Sequence, residues 1–184
     1  RTGVPAEIIA AILGVETFYG TRTGSYRVVN ALATLAFDYP PRSDFFRSEL
    51  RHLFLLSRDE QLDIRSLTGS YAGAMGPPQF IPSSYRAYAV DGDADGRRDL
   101  LGNWDDITAS IANYFVAHDW QPGQPIVARA RVPASARPDE ANELVLRDTV
   151  ASLRRQGVQF TSDLPDTAPA MLVSLEGADG DEHW

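Results

Sequence analysis

The stretch that decides the fold is PAEIIAAILGVETFYG, residues 5–20. Proline is well tolerated in the first turn of a helix, and the residues after Pro5 place apolar side chains at helical spacing. The pattern predicts an amphipathic helix that runs to about Tyr19 and Gly20. Its apolar positions are Ile8, Ile9, Ile12 and Leu13.

Glu16 is the one charged residue near the end of this otherwise apolar or small segment. Its neighbours at helical spacing are Ile12, Leu13 and Tyr19, and such a wall disfavours the charged form of a carboxyl and raises its pKa. A glutamate of that kind is suited to general acid catalysis near neutral pH. The alternative is an ordinary capping or salt-bridged glutamate, and the residue pattern alone leaves both open.

Further helices are predicted along the first two thirds of the chain, so the fold class is mainly α. One covers residues 30–37, and another ends at about His118 after starting at Asp105 or Asp106. Between them, Ser43 is a candidate N-cap for a long helix. The residues predicted on the inner face of that long helix are Phe46, Leu50, Leu53 and Phe54.

The pattern changes at residues 121–125, where Gln121 and Gln124 alternate with proline and glycine. We therefore divide the chain into a helical domain, residues 1–120, and a smaller, incomplete α+β part, residues 121–184. Within the second part we expect strands over 126–132 and 170–175, then a turn at 177–180. The helix expected between those strands carries Leu146, Val150 and Leu153 and ends at Gly157.

Composition excludes several classes of protein and of site. The 184 residues carry a formal net charge of −8, the opposite of what a generic nucleic-acid-binding surface needs, so we expect no nucleic-acid partner. Cysteine is absent, which excludes disulfides and thiolate metal sites. No apolar run approaches the roughly 20 residues of a membrane helix, so any membrane attachment is expected from an anchor outside this chain.

The acidic loop, DGDADGRRD at residues 91–99, matches the first nine positions of an EF-hand calcium loop. Acids stand at positions 1, 3, 5 and 9, glycine at position 6, and Arg97 at position 7 supplies only a backbone carbonyl. Position 12 is Gly102, so Asp105 or Asp106 closes the shell, and we assign Asp106. The alternative is a solvated acidic turn. The predicted ligands of a structural, non-signalling calcium ion are Asp91, Asp93, Asp95, Arg97, Asp99 and Asp106.

The motifs together resemble the lytic murein transglycosylases of the B type, the MltB-like family. The resemblance begins with GVET and YG at residues 14–20 and continues through ALATL at 31–35 and FDYP at 37–40. It then includes GS at 69–70, GAMG at 73–76, QF at 79–80 and PSSY at 82–85, followed by the acidic loop and SIANYF at 110–115. These motifs keep the family's order and cover residues 3–120 almost continuously.

This resemblance implies a lysozyme-like helical core that cleaves the bond between N-acetylmuramic acid and N-acetylglucosamine in peptidoglycan. The muramyl C6 hydroxyl, rather than water, attacks C1 and leaves a 1,6-anhydro ring. Glu16 serves as the single general acid and base, which agrees with our finding no second carboxylate in the motif-bearing segments near it. The residues expected to bind substrate are Ser70, Gln79, Tyr114, Met75 and Tyr19.

Ordinary structural roles stand beside these expectations. Ser70 also suits a turn, Gln79 a backbone brace and Tyr114 the core, while Phe18, Tyr39 and Tyr85 are further candidates for sugar stacking. The chain departs from the family at Pro77 and Pro78, and a later groove strand of the family is expected beyond residue 184.

Two alternative functions remain open at this point. One is a lysozyme-type hydrolase, and the other is a non-catalytic, calcium-stabilised peptidoglycan-binding module. We expect a periplasmic protein that has no organic cofactor. Its expected partners are the peptidoglycan glycan strand and other cell-wall enzymes.

Overall fold

A computed structural model describes residues 2–137, 145–176 and 182–183 of the chain. The chain separates into two compact units, an N-terminal unit of residues 1–122 and a C-terminal unit of residues 123–184. The boundary drawn from the sequence, after residue 120, lies two residues earlier. Among the described residues, no helix combines the length and apolar character that crossing a membrane requires.

The described part of the N-terminal unit is mainly helical, as the sequence predicts. Its elements are α1 (Ala6–Thr17), β1 (Tyr26–Arg27), α2 (Val28–Asp38), a 3-10 turn (Pro40–Arg42), α3 (Ser43–Asp59), β2 (Thr68–Gly69), α4 (Pro82–Tyr88) and α5 (Trp104–Ala117).

The helix ends follow local chemistry. Pro5 lies just before α1 in an extended conformation, so its missing N–H leaves no helical hydrogen bond unmade. We expected Asp105 or Asp106 to open α5, but the helix begins at Trp104. Asn103 is its N-cap, because the Asn103 side chain accepts hydrogen bonds from the backbone N–H groups of Asp105 and Asp106 at 3.0 and 3.4 Å.

The core of the N-terminal unit lies between α2, α3, α4 and α5. Leu32 on α2 and Leu53 and Leu56 on α3 are fully buried there. The prediction that Phe54 also faces inward is wrong, since 56% of its surface is exposed. Residue 54 is rotated by about 100° from residue 53 around a helix, which turns it away from the buried stripe. Ser43 is the first residue of α3 rather than its N-cap, and its hydroxyl donates to the Ala36 carbonyl at 2.6 Å.

A small antiparallel ribbon joins the helices to the glycine-rich loop, residues 69–79. Tyr26 pairs with Gly69, and Arg27 pairs with Thr68. Met75 forms bridges to both Gly69 and Phe80, which folds the loop back on itself.

The ribbon and the loop can pack closely on neighbouring backbone because glycines stand at the points of contact. A Cβ atom on Gly24 would lie 2.1 Å from the Gly69 carbonyl oxygen, and a Cβ atom on Gly69 would lie 2.1 Å from the Ala74 carbonyl oxygen. Both distances are far inside van der Waals contact. Only glycine is therefore compatible with the observed backbone at these two positions.

The C-terminal unit contains one short α-helix, α6 (Val150–Arg155), and a 3-10 turn (Ala134–Ala136) among its described residues. Its strands pair antiparallel, β3 (Asp148–Thr149) with β4 (Pro169–Ala170) and β5 (Leu175–Glu176) with β6 (Glu182–His183). A cavity of about 380 Å³, with mostly apolar walls, lies within this unit.

The sequence was less informative about this unit. The strand expected over 126–132 is reduced to one bridge, between Arg131 and Gln159. Leu146 lies before the helix, because a capping box of Thr149 and Ser152 starts α6 at Val150. The strand expected over 170–175 is instead the end of β4 and the start of β5. The turn expected at 177–180 lies outside the described residues.

The approach of Gly24 to Gly69 can be tested by alanine substitution. Gly24 and Gly123 both have left-handed backbone conformations, with φ of 94° and 75°, but a Cβ atom on Gly123 would meet nothing within 4 Å. We expect Gly24→Ala to lower the free energy of unfolding by about 3 kcal/mol or more, and Gly123→Ala by about 1 kcal/mol. Denaturant unfolding of both variants measures the difference. Equal losses would contradict the close backbone contact.

Candidate active site

Glu16 lies one residue before the end of α1, and its side chain is exposed. This corrects the expectation that an apolar wall desolvates its carboxyl. The face of α1 that enters the core at this end carries Leu13 and Thr17, which are four residues apart. Glu16 is rotated by about 100° from Thr17 and therefore faces solvent. Among the described residues, its carboxylate has no hydrogen-bond or ion-pair partner.

The chain leaves α1 through three successive left-handed residues. Phe18, Tyr19 and Gly20 have φ angles of 49°, 58° and 80°. The Tyr19 ring lies against Gly14, since a Cβ atom on Gly14 would be 3.1 Å from the tyrosine hydroxyl oxygen. The side chains of Phe18 and Tyr19 are 61% and 57% exposed, so this turn presents two aromatic rings to solvent beside Glu16.

Thr17 connects this turn to the glycine-rich loop. Its hydroxyl lies 2.9 Å from the Pro77 carbonyl oxygen and accepts a hydrogen bond from the Gly20 backbone N–H at 2.9 Å. Gly20 in turn approaches Pro77 and the ring of Trp104, both 3.3 Å from the position of a Cβ atom on Gly20. Sequence reasoning missed both Thr17 and Trp104. A polar residue at the buried i+4 position from Leu13 was the available signal for Thr17.

Ser70 and Gln79 both bond to the backbone of the loop, as expected from the turn role of Ser70 and the bracing role of Gln79. The Ser70 hydroxyl oxygen accepts hydrogen bonds from the backbone N–H groups of Ala72 and Ala74 at 3.3 and 3.0 Å. The Gln79 side-chain amide donates to the carbonyls of Thr23 and Gly76 at 3.2 and 2.9 Å. Neither set of bonds uses the Ser70 hydroxyl hydrogen or the Gln79 amide oxygen, and both side chains are only partly buried. Both groups are thus compatible with an added ligand contact.

Two other candidates, Met75 and Tyr85, prove to be core residues. Met75 was expected to bind substrate, but its side chain is fully buried beneath the loop, where a ligand outside cannot touch it. Pro77 and Pro78 are also buried. Tyr85 cannot stack on a sugar, because it lies in the core with its hydroxyl bonded to the Arg98 carbonyl and the Leu100 N–H. Burial raises the pKa of the Tyr85 phenol well above its usual value.

Tyr114 stays partly exposed while belonging to an aromatic cluster. It is 37% exposed, stacks on His118 with a 4.1 Å centroid separation and meets Tyr88 edge to face at 5.1 Å. Tyr39 is also exposed, on the short connection between α2 and α3. Tyr114 can therefore pack in the protein and still offer part of its surface to a ligand.

The acidic loop folds around the buried carboxylate of Asp106. One Asp106 oxygen accepts the Gly92 backbone N–H at 2.7 Å, and the other accepts the Asp99 N–H at 2.6 Å. Carboxylate oxygens of Asp91, Asp93 and Asp106 lie within 4.8 Å of one another. A hydrogen bond from the Asn103 side chain lowers the pKa of Asp93.

The other predicted ligands bond to their own loop. Asp95 accepts the Arg97 backbone N–H at 2.8 Å, and Asp99 accepts the N–H groups of Leu101 and Gly102 at 2.8 and 3.1 Å. The carboxylates of Asp95, Asp99 and Asp105 are not part of the cluster of three carboxylates. The ligand roles of Asp95, Arg97 and Asp99, and the EF-hand form of the loop, stay predictions.

The whole chain, residues 1–184, matches the family described as Transglycosylase SLT domain. It is 42% identical over 184 residues to membrane-bound lytic murein transglycosylase B of Escherichia coli strain K12, covering 99% of this chain and 49% of that protein. The chain thus spans about half the length of this relative.

Solved structures agree with the sequence match. The soluble lytic transglycosylase SltB1 from Pseudomonas aeruginosa is 49% identical with a TM-score of 0.90, covering 100% of this chain and 61% of that one. The E. coli lytic transglycosylase Slt35, solved in complex with calcium, is 40% identical with a TM-score of 0.86, covering 100% of this chain and 57% of that one.

A more distant structure is SltB3 from P. aeruginosa, solved in complex with NAG-NAM-pentapeptide. It is 32% identical with a TM-score of 0.77, covering 100% of this chain and 50% of that one. These matches confirm the lysozyme-like helical fold class and the family resemblance.

Proposed function

Since this chain belongs to the transglycosylase SLT domain family, we propose that it is the catalytic part of a lytic murein transglycosylase with Glu16 as its single general acid and base. The observation that carries the proposal is the lone, exposed Glu16 carboxylate at the end of α1, inside the motif by which the chain resembles the family. Pro77, which bonds to Thr17 at the end of α1, and Trp104, which approaches Gly20 in the turn that follows, carry no carboxylate that could act as a partner.

In the proposed reaction, Glu16 first donates its proton to the glycosidic oxygen as the bond between that oxygen and muramyl C1 breaks. The C6 hydroxyl oxygen of the same muramyl residue then bonds to C1. The Glu16 carboxylate takes the proton that this hydroxyl loses, which restores the starting acid. The products are an N-acetylglucosamine hydroxyl and a 1,6-anhydro ring, and no water is consumed.

Intramolecular attack requires that the sugar be held with its C6 hydroxyl close to C1, and it does not require a second acid. Ser70 and Gln79 are proposed to hold the N-acetyl group and the C6 arm through the hydroxyl hydrogen and amide oxygen that their backbone bonds leave unused. Tyr19 and Tyr114 are proposed to contact sugar rings, since both rings are partly exposed.

The structure of SltB3 with NAG-NAM-pentapeptide supports a glycan strand as the substrate. Since that polymer lies in the periplasm of bacteria with two membranes, we propose that site of action.

We also propose that the acidic loop binds a structural calcium ion. Asp91, Asp93 and Asp106 fit the ion because their carboxylates are hard oxygen donors and already converge. The calcium complex of Slt35 supports this assignment. The ion would neutralise the clustered charge and hold the loop against α5, and it takes no part in the proposed reaction.

Glu16→Gln is expected to abolish turnover of purified peptidoglycan sacculi. Glutamine keeps the size of the side chain and loses the proton, and one residue serves both steps, so the rate should fall by at least about 10²–10⁴. Release of soluble muropeptides measures the rate. Glu7→Gln, an exposed acid in the first turn of the same helix, is the matched control and should retain full activity. More than about a tenth of parental activity in Glu16→Gln would remove Glu16 from this role.

The reaction type is tested by digestion in heavy-oxygen water. Attack by the C6 hydroxyl predicts anhydro-muropeptides one water lighter than the hydrolysed product and free of label. Mass spectrometry of the released muropeptides distinguishes the two products. Labelled, reducing-end muramic acid as the main product would establish a lysozyme-type hydrolase instead, while binding without release would indicate a non-catalytic module.

Calcium is expected to raise the melting temperature of the protein, because the unfolded chain lacks the site. Asp106→Ala should lose this response and also destabilise the protein in chelator by about 1.5–3 kcal/mol per lost hydrogen bond to its carboxylate. Asp93→Ala should also lose the calcium response, but its hydrogen bonds from Asn103 and from the Asp95 N–H are exposed to solvent, so it should destabilise the protein less than Asp106→Ala does. Asp105→Ala, which changes the adjacent exposed acid, should keep both the calcium response and the stability in chelator. An unchanged melting temperature in calcium and in chelator would contradict the site.

A further inference from the structure

Thr17 is the buried polar residue closest in sequence to Glu16, and its hydroxyl uses both its donor and its acceptor capacity. The side chain is 1% exposed. It has two acceptors in reach, the Pro77 carbonyl at 2.9 Å and the Leu13 carbonyl at 3.4 Å, and it accepts from Gly20. The shorter distance favours Pro77 as the acceptor. The hydroxyl thereby joins α1 to a loop 60 residues away in the sequence.

The turn after Thr17 is costly to maintain. Left-handed conformations at the non-glycine residues Phe18 and Tyr19 are each unfavourable by about 1–2 kcal/mol. Backbone bonds compensate in part, from the Tyr19 N–H to the Leu13 carbonyl at 2.9 Å and from the Arg22 N–H to the Thr17 carbonyl at 2.8 Å. The Thr17 hydroxyl adds a bond to the last residue of the turn. Strained backbone that is held in this way is often found at functional sites.

Glu16 depends on this arrangement because no other described residue bonds to its carboxylate. Within the described part of the chain its carboxylate has no hydrogen-bond or ion-pair partner, so its position follows from the backbone of the last turn of α1. Thr17 is the adjacent residue, and its hydroxyl fixes that backbone relative to the loop that carries Gln79. A misplacement of about 1 Å in a catalytic group can cost on the order of 10² in rate.

We propose that Thr17 is a positioning residue, whose hydroxyl bonds to Pro77 and Gly20 hold the Glu16 carboxylate in register with the glycine-rich loop. This inference rests on the proposed function, because it takes Glu16 as the acid and base. It assigns to Thr17 an effect on the rate of the chemical step rather than on glycan binding. A purely structural Thr17 would affect stability alone.

The test compares Thr17→Val, which keeps the shape and loses the hydroxyl, with Thr17→Ser, which keeps the hydroxyl. Ser57→Ala on α3 is the matched control, since it removes a similar hydroxyl-to-carbonyl bond, to Leu62 at 2.7 Å. Muropeptide release from sacculi gives kcat and KM in the intact protein below the melting temperature of each variant. Affinity for glycan oligomers is measured with each change placed in the Glu16→Gln background.

Thr17→Val is expected to lower kcat by about 10- to 100-fold, with oligomer affinity within about threefold of the parent. Thr17→Ser should restore kcat to within about threefold, and Ser57→Ala should lose stability without losing kcat. If Thr17→Val does not fold, Thr17→Ala is compared with Thr17→Ser in the same assays. Equal kcat in the variants with and without the hydroxyl, or a loss confined to affinity, would overturn the positioning role.

The outcomes separate this inference from the proposed function. An active parent and an inactive Glu16→Gln variant, together with full activity in Thr17→Val, would remove only the role of Thr17. An inactive parent, or an active Glu16→Gln variant, would remove the proposed function and the positioning role with it.

Discussion

The architecture of the N-terminal unit depends on close contact between backbone segments at a few glycines. Side chains cannot occupy the space between Gly24 and Gly69, between Gly69 and Ala74, or between Gly76 and Leu100, since a Cβ atom would lie 2.1 Å from a carbonyl oxygen in each case. These contacts fold the glycine-rich loop on itself and hold it against the backbone segments at Gly24 and Leu100. The loop therefore has a defined backbone conformation, although it contains little regular secondary structure.

At the end of α1, two residues that are adjacent in the sequence face in opposite directions. Thr17 is directed into the protein, where its hydroxyl reaches Pro77, and Glu16 is directed out to solvent. The exposed rings of Phe18 and Tyr19 lie on the same turn. An accessible carboxylate beside aromatic surface suits a group that meets a polymer from outside, whereas a carboxylate enclosed by apolar side chains would be out of the reach of such a substrate.

The buried carboxylate of the acidic loop is bound by backbone N–H groups. Asp106 is fully buried, and each of its oxygens accepts a backbone N–H, from Gly92 and Asp99. Backbone dipoles thus stabilise the buried charge and hold the start and end of the loop together. The same geometry brings Asp91 and Asp93 near Asp106, which leaves a concentration of negative charge suited to a divalent cation.

The sequence by itself determined the mainly helical class, the approximate helix positions and the motifs that indicate the family. These follow from periodicity and spacing, which are local properties of the chain. Only the tertiary structure decided that Glu16 is exposed, that Met75 and Tyr85 are core residues, and that the Thr17 hydroxyl bonds to Pro77. In the C-terminal unit, short strands gave a weak pattern, and the sequence misplaced them. The physical reason is the same throughout, because a side chain's surroundings depend on segments distant in the chain, and local spacing does not specify which of those segments will lie beside it.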